Sequence, residues 1–93
     1  MKKNIVILGS TGSIGKTTFE ILKKNKNRYN VRLLTTNTNT HEIIKQANLF
    51  NVKNLIVSDY KKFIFLKKKF KNKKINIYNN FENINKIFKR KVD

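Results

Sequence analysis

The sequence has no cysteine, no proline and no tryptophan, and its 93 residues include only three glycines. Without cysteine there is neither a disulfide scaffold nor a thiolate metal site, which is consistent with a reducing compartment. No apolar run approaches the roughly 20 residues needed to cross a bilayer. The opening Met1-Lys2-Lys3-Asn4 is basic, as in a signal peptide, but the apolar part, Ile5–Leu8, is too short for the core of one and runs straight into glycine. A cytoplasmic protein without a targeting segment is expected. Acids are scarce as well. Glu20, Glu42, Asp59, Glu82 and Asp93 are scattered and form no metal pair, and the lone His41 follows a helix cap and reads as a surface residue. No catalytic or metal-ligating set is therefore expected in this chain.

What is abundant is lysine. Lys and Arg number 22 against five acids, for a net charge of +17. Such a charge can mark a polyanion partner. It can also reflect a compositional bias, because Lys, Asn, Ile and Phe, whose codons are A/T-rich, are frequent throughout. The lysines are spread over every segment, which favours the second explanation. The length allows one domain, residues 1–93. A unit of this size buries only about 60–65% of its unfolded surface, so its stability is expected to be marginal.

Along the chain, strand and helix signals alternate. Asn4–Leu8 is a β-branched run bounded by glycine. From Ser13 to about Lys24 the pattern is helical, with Ile14, Thr18, Ile21 and Leu22 on one face. A polar turn at Asn25–Asn30 leads to a second strand, Val31–Thr35. A second helix starts near Asn39, an N-cap with Glu42 three residues later, and buries Ile43, Ala47 and Phe50. Asn54–Ser58 is a third strand. Lys61–Lys71 is a third helix, with Phe63, Leu66 and Phe70 on one face and Phe65 pointing elsewhere. Ile75–Tyr78 is a short strand, and Phe81–Lys89 a fourth helix with Phe81, Ile84 and Phe88 inward. The alternation predicts an α/β fold with a Rossmann-like, three-layer parallel sheet and helices on both faces. The chain stops at Lys91-Val92-Asp93, where a fifth strand is expected, so the sheet is read as incomplete at its C-terminal end and the chain as truncated.

The informative stretch is Leu8-Gly9-Ser10-Thr11-Gly12-Ser13-Ile14-Gly15, between the first strand and the first helix. All three glycines of the chain lie in it. A helix N-terminus offers unpaired N–H groups and a partial positive charge, which suit a pyrophosphate. Gly9 is expected to make the turn, Gly12 to let the backbone approach the ligand, and Gly15 to let the helix pack closely on the sheet. Ser10, Thr11 and Ser13 would add hydroxyls. The spacing is G-x-x-G-x-x-G, a variant of the dinucleotide-binding pattern. A P-loop is the competing reading of Gly15-Lys16-Thr17. It is disfavoured because its first glycine would fall at Ser10, and only Asp59 offers a later strand-end acid for Mg²⁺. At the end of the second strand, Thr35-Thr36-Asn37-Thr38-Asn39-Thr40 carries no acid. An NAD site places an acid there for the ribose 2′-hydroxyl, so this sequence favours NADP. The same loop also reads simply as a polar helix cap.

The octet Leu8–Gly15, so close to the start, resembles the opening of the 1-deoxy-D-xylulose 5-phosphate reductoisomerase family. The likeness continues more loosely through Val31–Gln46 and to the chain end, over the first part of a family chain several-fold longer. It implies an N-terminal NADPH-binding domain, with the catalytic and C-terminal domains absent. By position, Thr11, Gly12, Ser13 and Ile14 would line the pyrophosphate and ribose. Thr36, Asn37, Thr38 and Asn39 stand where the family has a small residue, a glycine, often a basic residue and an asparagine, so only Asn39 keeps the family type. The resemblance further implies rearrangement of a sugar phosphate and its reduction by NADPH in isoprenoid precursor biosynthesis, with Mg²⁺ or Mn²⁺ and a homodimer in the full-length family. The metal ligands and the sugar phosphate site are expected outside this chain, which alone is expected to be inactive.

Two other readings compete. One is a basic nucleic-acid-binding module centred on Tyr60–Lys74, where Phe63, Phe65 and Phe70 interleave with lysines. It is disfavoured because Phe63, Leu66 and Phe70 share a face, as in an ordinary amphipathic helix. The other is a non-functional gene remnant.

Overall fold

Aliphatic and β-branched runs become parallel strands, and the amphipathic stretches between them become helices that cross from one strand to the next. The computed structural model describes residues 2–71 and 73–82. Within them, strands β1 (Lys3–Ile7), β2 (Tyr29–Thr36), β3 (Asn54–Val57) and β4 (Asn76–Tyr78) alternate with helices α1 (Ser13–Lys24), α2 (Thr40–Phe50) and α3 (Tyr60–Lys69). A 3₁₀ turn, Lys26–Arg28, leads into β2, which begins two residues before the sequence reading placed it.

The sheet order is β1-β2-β3-β4, and every neighbouring pair is parallel. Each crossover therefore steps in the same direction. Right-handed connections then put α1, α2 and α3 on the same face. The core agrees. Ile7, Val31, Leu34, Leu55, Val57 and Ile77 of the strands pack with Phe19 and Leu22 of α1, Ile43, Ala47 and Phe50 of α2, and Leu66 of α3. On the other face Leu33 and Ile56 are buried, with Val6 and Tyr78 against them. The parallel α/β sheet is as expected, and the described helices form one of the two expected helical layers. The expected fourth helix and fifth strand lie outside the described residues, apart from Phe81, which is 46% exposed, and Glu82.

The pairing of β1 with β2 slips by one residue. Ile5 stands opposite Val31 and Val6 opposite Leu33, so Arg32 is the extra residue of a bulge. The slip resets the side-chain alternation, and Val31 and Leu34 both face the helices despite their odd spacing.

The helix ends follow local chemistry. Asn39 Oδ1 accepts from the Glu42 N–H at 3.1 Å and caps α2. Asp59 Oδ2 does the same for Lys62 N–H at 3.0 Å in α3. That cap accounts for the acid that follows β3. Leu66 of α3 is buried with Phe63 and Phe70 against the core, and Phe65 is exposed with Lys69 Nζ 5.8 Å from its ring centre.

The face of α1 needs correction. Ile14, Thr18 and Ile21 do not point inward, and Ile14 and Ile21 are 84% and 59% exposed. The buried side of the helix is Gly15, Phe19 and Leu22. A close backbone contact at Gly15 sets the rotation of the helix, and Phe19 follows four residues later onto the Phe50 ring at 5.1 Å. Apolar periodicity alone could not report this, because both isoleucines of the helix, Ile14 and Ile21, lie on its exposed side.

A candidate dinucleotide site at the glycine loop

Beyond β1 the chain must turn sharply into α1. Gly9 makes the turn with φ +62°, a left-handed conformation that favours glycine. The loop is tied to the end of β2. Gly9 N–H donates to Thr35 Oγ1 at 2.7 Å, and Ser10 N–H donates to the Thr35 carbonyl at 2.9 Å. The hydroxyls of Thr11 and Thr36 are 2.6 Å apart. From α2, Gln46 Nε2 donates to the Ser10 carbonyl at 2.9 Å. The sequence reading did not assign these supports to Thr35, Thr36 and Gln46. Two adjacent threonines at a strand end were the available signal.

The glycines have different tasks. A Cβ on Gly15 would lie 2.7 Å from Ser10 Cα and closer still to the Gly9 carbonyl oxygen, so the helix can approach the loop only through glycine here. A Cβ on Gly12 would lie 3.5 Å from the Gly9 oxygen, an ordinary contact. Among the described residues, nothing packed around position 12 therefore requires glycine there.

The start of α1 is open. Gly12 occupies the cap position without a side-chain hydrogen bond, and no acid stands in the first turn. The first backbone bond into the helix is from Lys16 N–H to the Gly12 carbonyl, 2.8 Å. The N–H groups of Ser13, Ile14 and Gly15 consequently have no partner among the described residues. Helices α2 and α3, by contrast, carry side-chain caps. A pyrophosphate would satisfy such donors and meet the positive end of the helix dipole. An open groove of about 640 Å³ adjoins them, between β1 and the start of α1, and Leu8, Gly9, Gly12, Ile14 and Thr18 help line it.

Of the expected phosphate hydroxyls, Ser10 is a correction. It is fully buried and its Oγ lies 3.4 Å from the Thr35 carbonyl, because its peptide is the one clamped between β2 and α2. Thr11 turns its hydroxyl to Thr36, while Ser13 stays exposed.

At the end of β2, Asn37, Thr38 and Asn39 are all exposed. Asn37 Oδ1 accepts from Ser58 Oγ at 2.9 Å, and Asn39 caps α2. These bonds use the amide oxygens. The amide NH₂ groups of Asn37 and Asn39 and the Thr38 hydroxyl have no partner among the described residues. Lys16 lies elsewhere, in the groove between α1 and α2 with Lys23, Lys45, Glu20 and Glu42. His41 is exposed, and the described residues contain no group of three His, Asp or Glu side chains able to hold a metal.

Comparison with known proteins agrees with this framework. The family model described as 1-deoxy-D-xylulose 5-phosphate reductoisomerase matches residues 5–93. The curated reductoisomerase of Pelagibacter ubique (strain HTCC1062) is 49% identical over 86 residues, which is 92% of this chain and 22% of that protein. That of Wolbachia pipientis subsp. Culex pipiens is 47% identical over 57 residues, 61% of this chain and 15% of its own. The solved Zymomonas mobilis reductoisomerase in complex with NADPH superposes with a TM-score of 0.80 at 25% identity, covering 94% of this chain and 23% of that one. A reductoisomerase in complex with NADPH, fosmidomycin and magnesium gives 0.82 at 26% identity, covering 98% and 23%. The chain thus spans about a fifth of the length of these relatives. Since the match runs almost from end to end of the chain and the solved relatives share its fold, the chain belongs to the 1-deoxy-D-xylulose 5-phosphate reductoisomerase family.

Proposed function

We propose that this chain is the NADPH-binding part of an enzyme that converts 1-deoxy-D-xylulose 5-phosphate to 2-C-methyl-D-erythritol 4-phosphate in isoprenoid precursor biosynthesis. The observation that carries the proposal is the uncapped start of α1 behind a glycine, Gly12, that the fold itself does not need. Thr11, Gly12, Ser13 and Ile14 would receive the pyrophosphate and adjoining ribose, with backbone N–H groups as donors. Asn37, Thr38 and Asn39 would face the adenosine end. Their free amide and hydroxyl donors, with no acid at the end of β2, suit a 2′-phosphate better than a 2′-hydroxyl.

NADPH, when bound, supplies the hydride, and the residues of this chain hold and orient it. The described residues offer no ligand set for the magnesium of the solved relatives. Metal dependence, a sugar phosphate site and a homodimer belong to the proposal for the whole family protein, and so does a cytoplasmic location. No helix among the described residues is long and apolar enough to cross a membrane.

The thermal midpoint of the chain with NADPH, with NADH and without ligand tests the reading. A ligand at about 100 times its dissociation constant adds roughly 2.7 kcal/mol if it binds only the folded state. For a domain this small, that raises the midpoint by on the order of 10 °C. The expected result is a shift with NADPH clearly larger than with NADH. Equal shifts that vanish as salt is raised would mean that the lysines merely attract phosphate.

A further inference from the structure

We infer that Gln46 is a positioning residue for the cofactor pyrophosphate, acting through the Ser10–Thr11 peptide. The inference rests on the NADPH reading above and deepens it. Gln46 lies on the buried side of α2 among Ile43, Ala47 and Phe50, and is 2% exposed. An amide in such a place is costly unless it is bonded. Its Nε2 reaches across 36 residues of sequence to the Ser10 carbonyl at 2.9 Å. Its Oε1 is buried without a partner among the described residues. An apolar side chain of the same size would fill the space without that orphaned oxygen. Packing therefore does not explain the glutamine, and its bond to Ser10 does.

The chain has no cis peptides among the described residues. In a trans peptide the C=O and the following N–H point in opposite directions. Gln46 fixes the Ser10 carbonyl toward α2, and Ser10 N–H is already held by the Thr35 carbonyl. Thr11 N–H is thereby turned away from α2, and it has no acceptor among the described residues. It precedes Gly12 and the unpaired donors of Ser13, Ile14 and Gly15. The interior amide of Gln46 thus adds one oriented donor to the site without touching the ligand.

The test is Gln46→Met, titrated in the full chain with NADPH and with adenosine 2′-monophosphate, which has the 2′-phosphate but no pyrophosphate. The substitution removes the orphaned Oε1 and unpairs the Ser10 carbonyl, two opposed effects, so the thermal midpoint should change little. NADPH affinity should fall about tenfold, the scale of one hydrogen bond to a charged group. Affinity for adenosine 2′-monophosphate should be unchanged. Unaltered NADPH affinity, or equal losses for both ligands, would overturn the inference. A second measurement needs no variant: in the wild-type chain NADPH should shift the Thr11 amide resonance strongly, and an unmoved Thr11 amide would also overturn it. If the wild-type chain bound neither ligand, the NADPH reading itself would fall, a result distinct from the other three.

Discussion

Replacing Gly15 with alanine should remove a large share of the stability of the chain, while the same change at Gly12 should leave the fold and remove the cofactor. At position 15 the new methyl meets backbone, the Gly9 oxygen and Ser10 Cα, and not the end of a side chain that can swing aside. Overpacking usually costs about 1–3 kcal/mol and more when the neighbours cannot yield. The loop here is held by Thr35, Thr36 and Gln46, so relief requires α1 to move off the sheet. A loss of about 3 kcal/mol or more is expected, a large share of the roughly 5–15 kcal/mol that domains possess. At position 12 the methyl makes only an ordinary contact. Gly12→Ala should unfold within about 1 kcal/mol of wild type, and its methyl should stand where the pyrophosphate approaches. Urea unfolding and NADPH titration of both variants check the pair. A stable Gly15→Ala chain would contradict the packing account, and unimpaired NADPH binding by Gly12→Ala would contradict the site.

The second large effect concerns the rotation of α1. Phe19→Ala should cost about 3–5 kcal/mol, the range for a buried phenylalanine. Phe19 is 5% exposed and packs edge-on against Phe50, so its loss opens a cavity between α1 and α2. Ile21→Ala should change stability by no more than about 0.5 kcal/mol, as for other exposed positions. Equilibrium denaturation of the two variants decides the matter, and the reverse ranking would restore the face inferred from periodicity.

That reversal shows where sequence reasoning stops. The strands, the glycine loop and the cap at Asn39 were legible because each depends on neighbours within a few residues. β-Branched runs extend, glycine permits a positive φ, and Asn39 reaches an N–H three residues away. The rotation of α1 depends on a contact between Gly15 and the Gly9–Ser10 backbone that only the folded loop creates. The burial of Ser10 was hidden for the same reason. Its hydroxyl suggests a ligand contact, but Thr35 and Gln46, 25 and 36 residues away, clamp its peptide inward. Gln46 itself reads as surface by composition, since nothing local marks a polar residue beside an apolar stripe as buried. The bulge at Arg32 required the register of two strands. In the site, the donors on α1 were readable and the scaffold that aims them was not.

The most direct test of the account is amide-resolved NMR of the chain titrated with NADPH at moderate salt. The expected result is that the largest perturbations fall at Thr11, Gly12, Ser13 and Ile14, with a second, weaker group at Asn37, Thr38 and Asn39. Perturbations spread over the lysine-rich end of α3, around Lys67, Lys68 and Lys69, with the glycine loop unmoved, would contradict it.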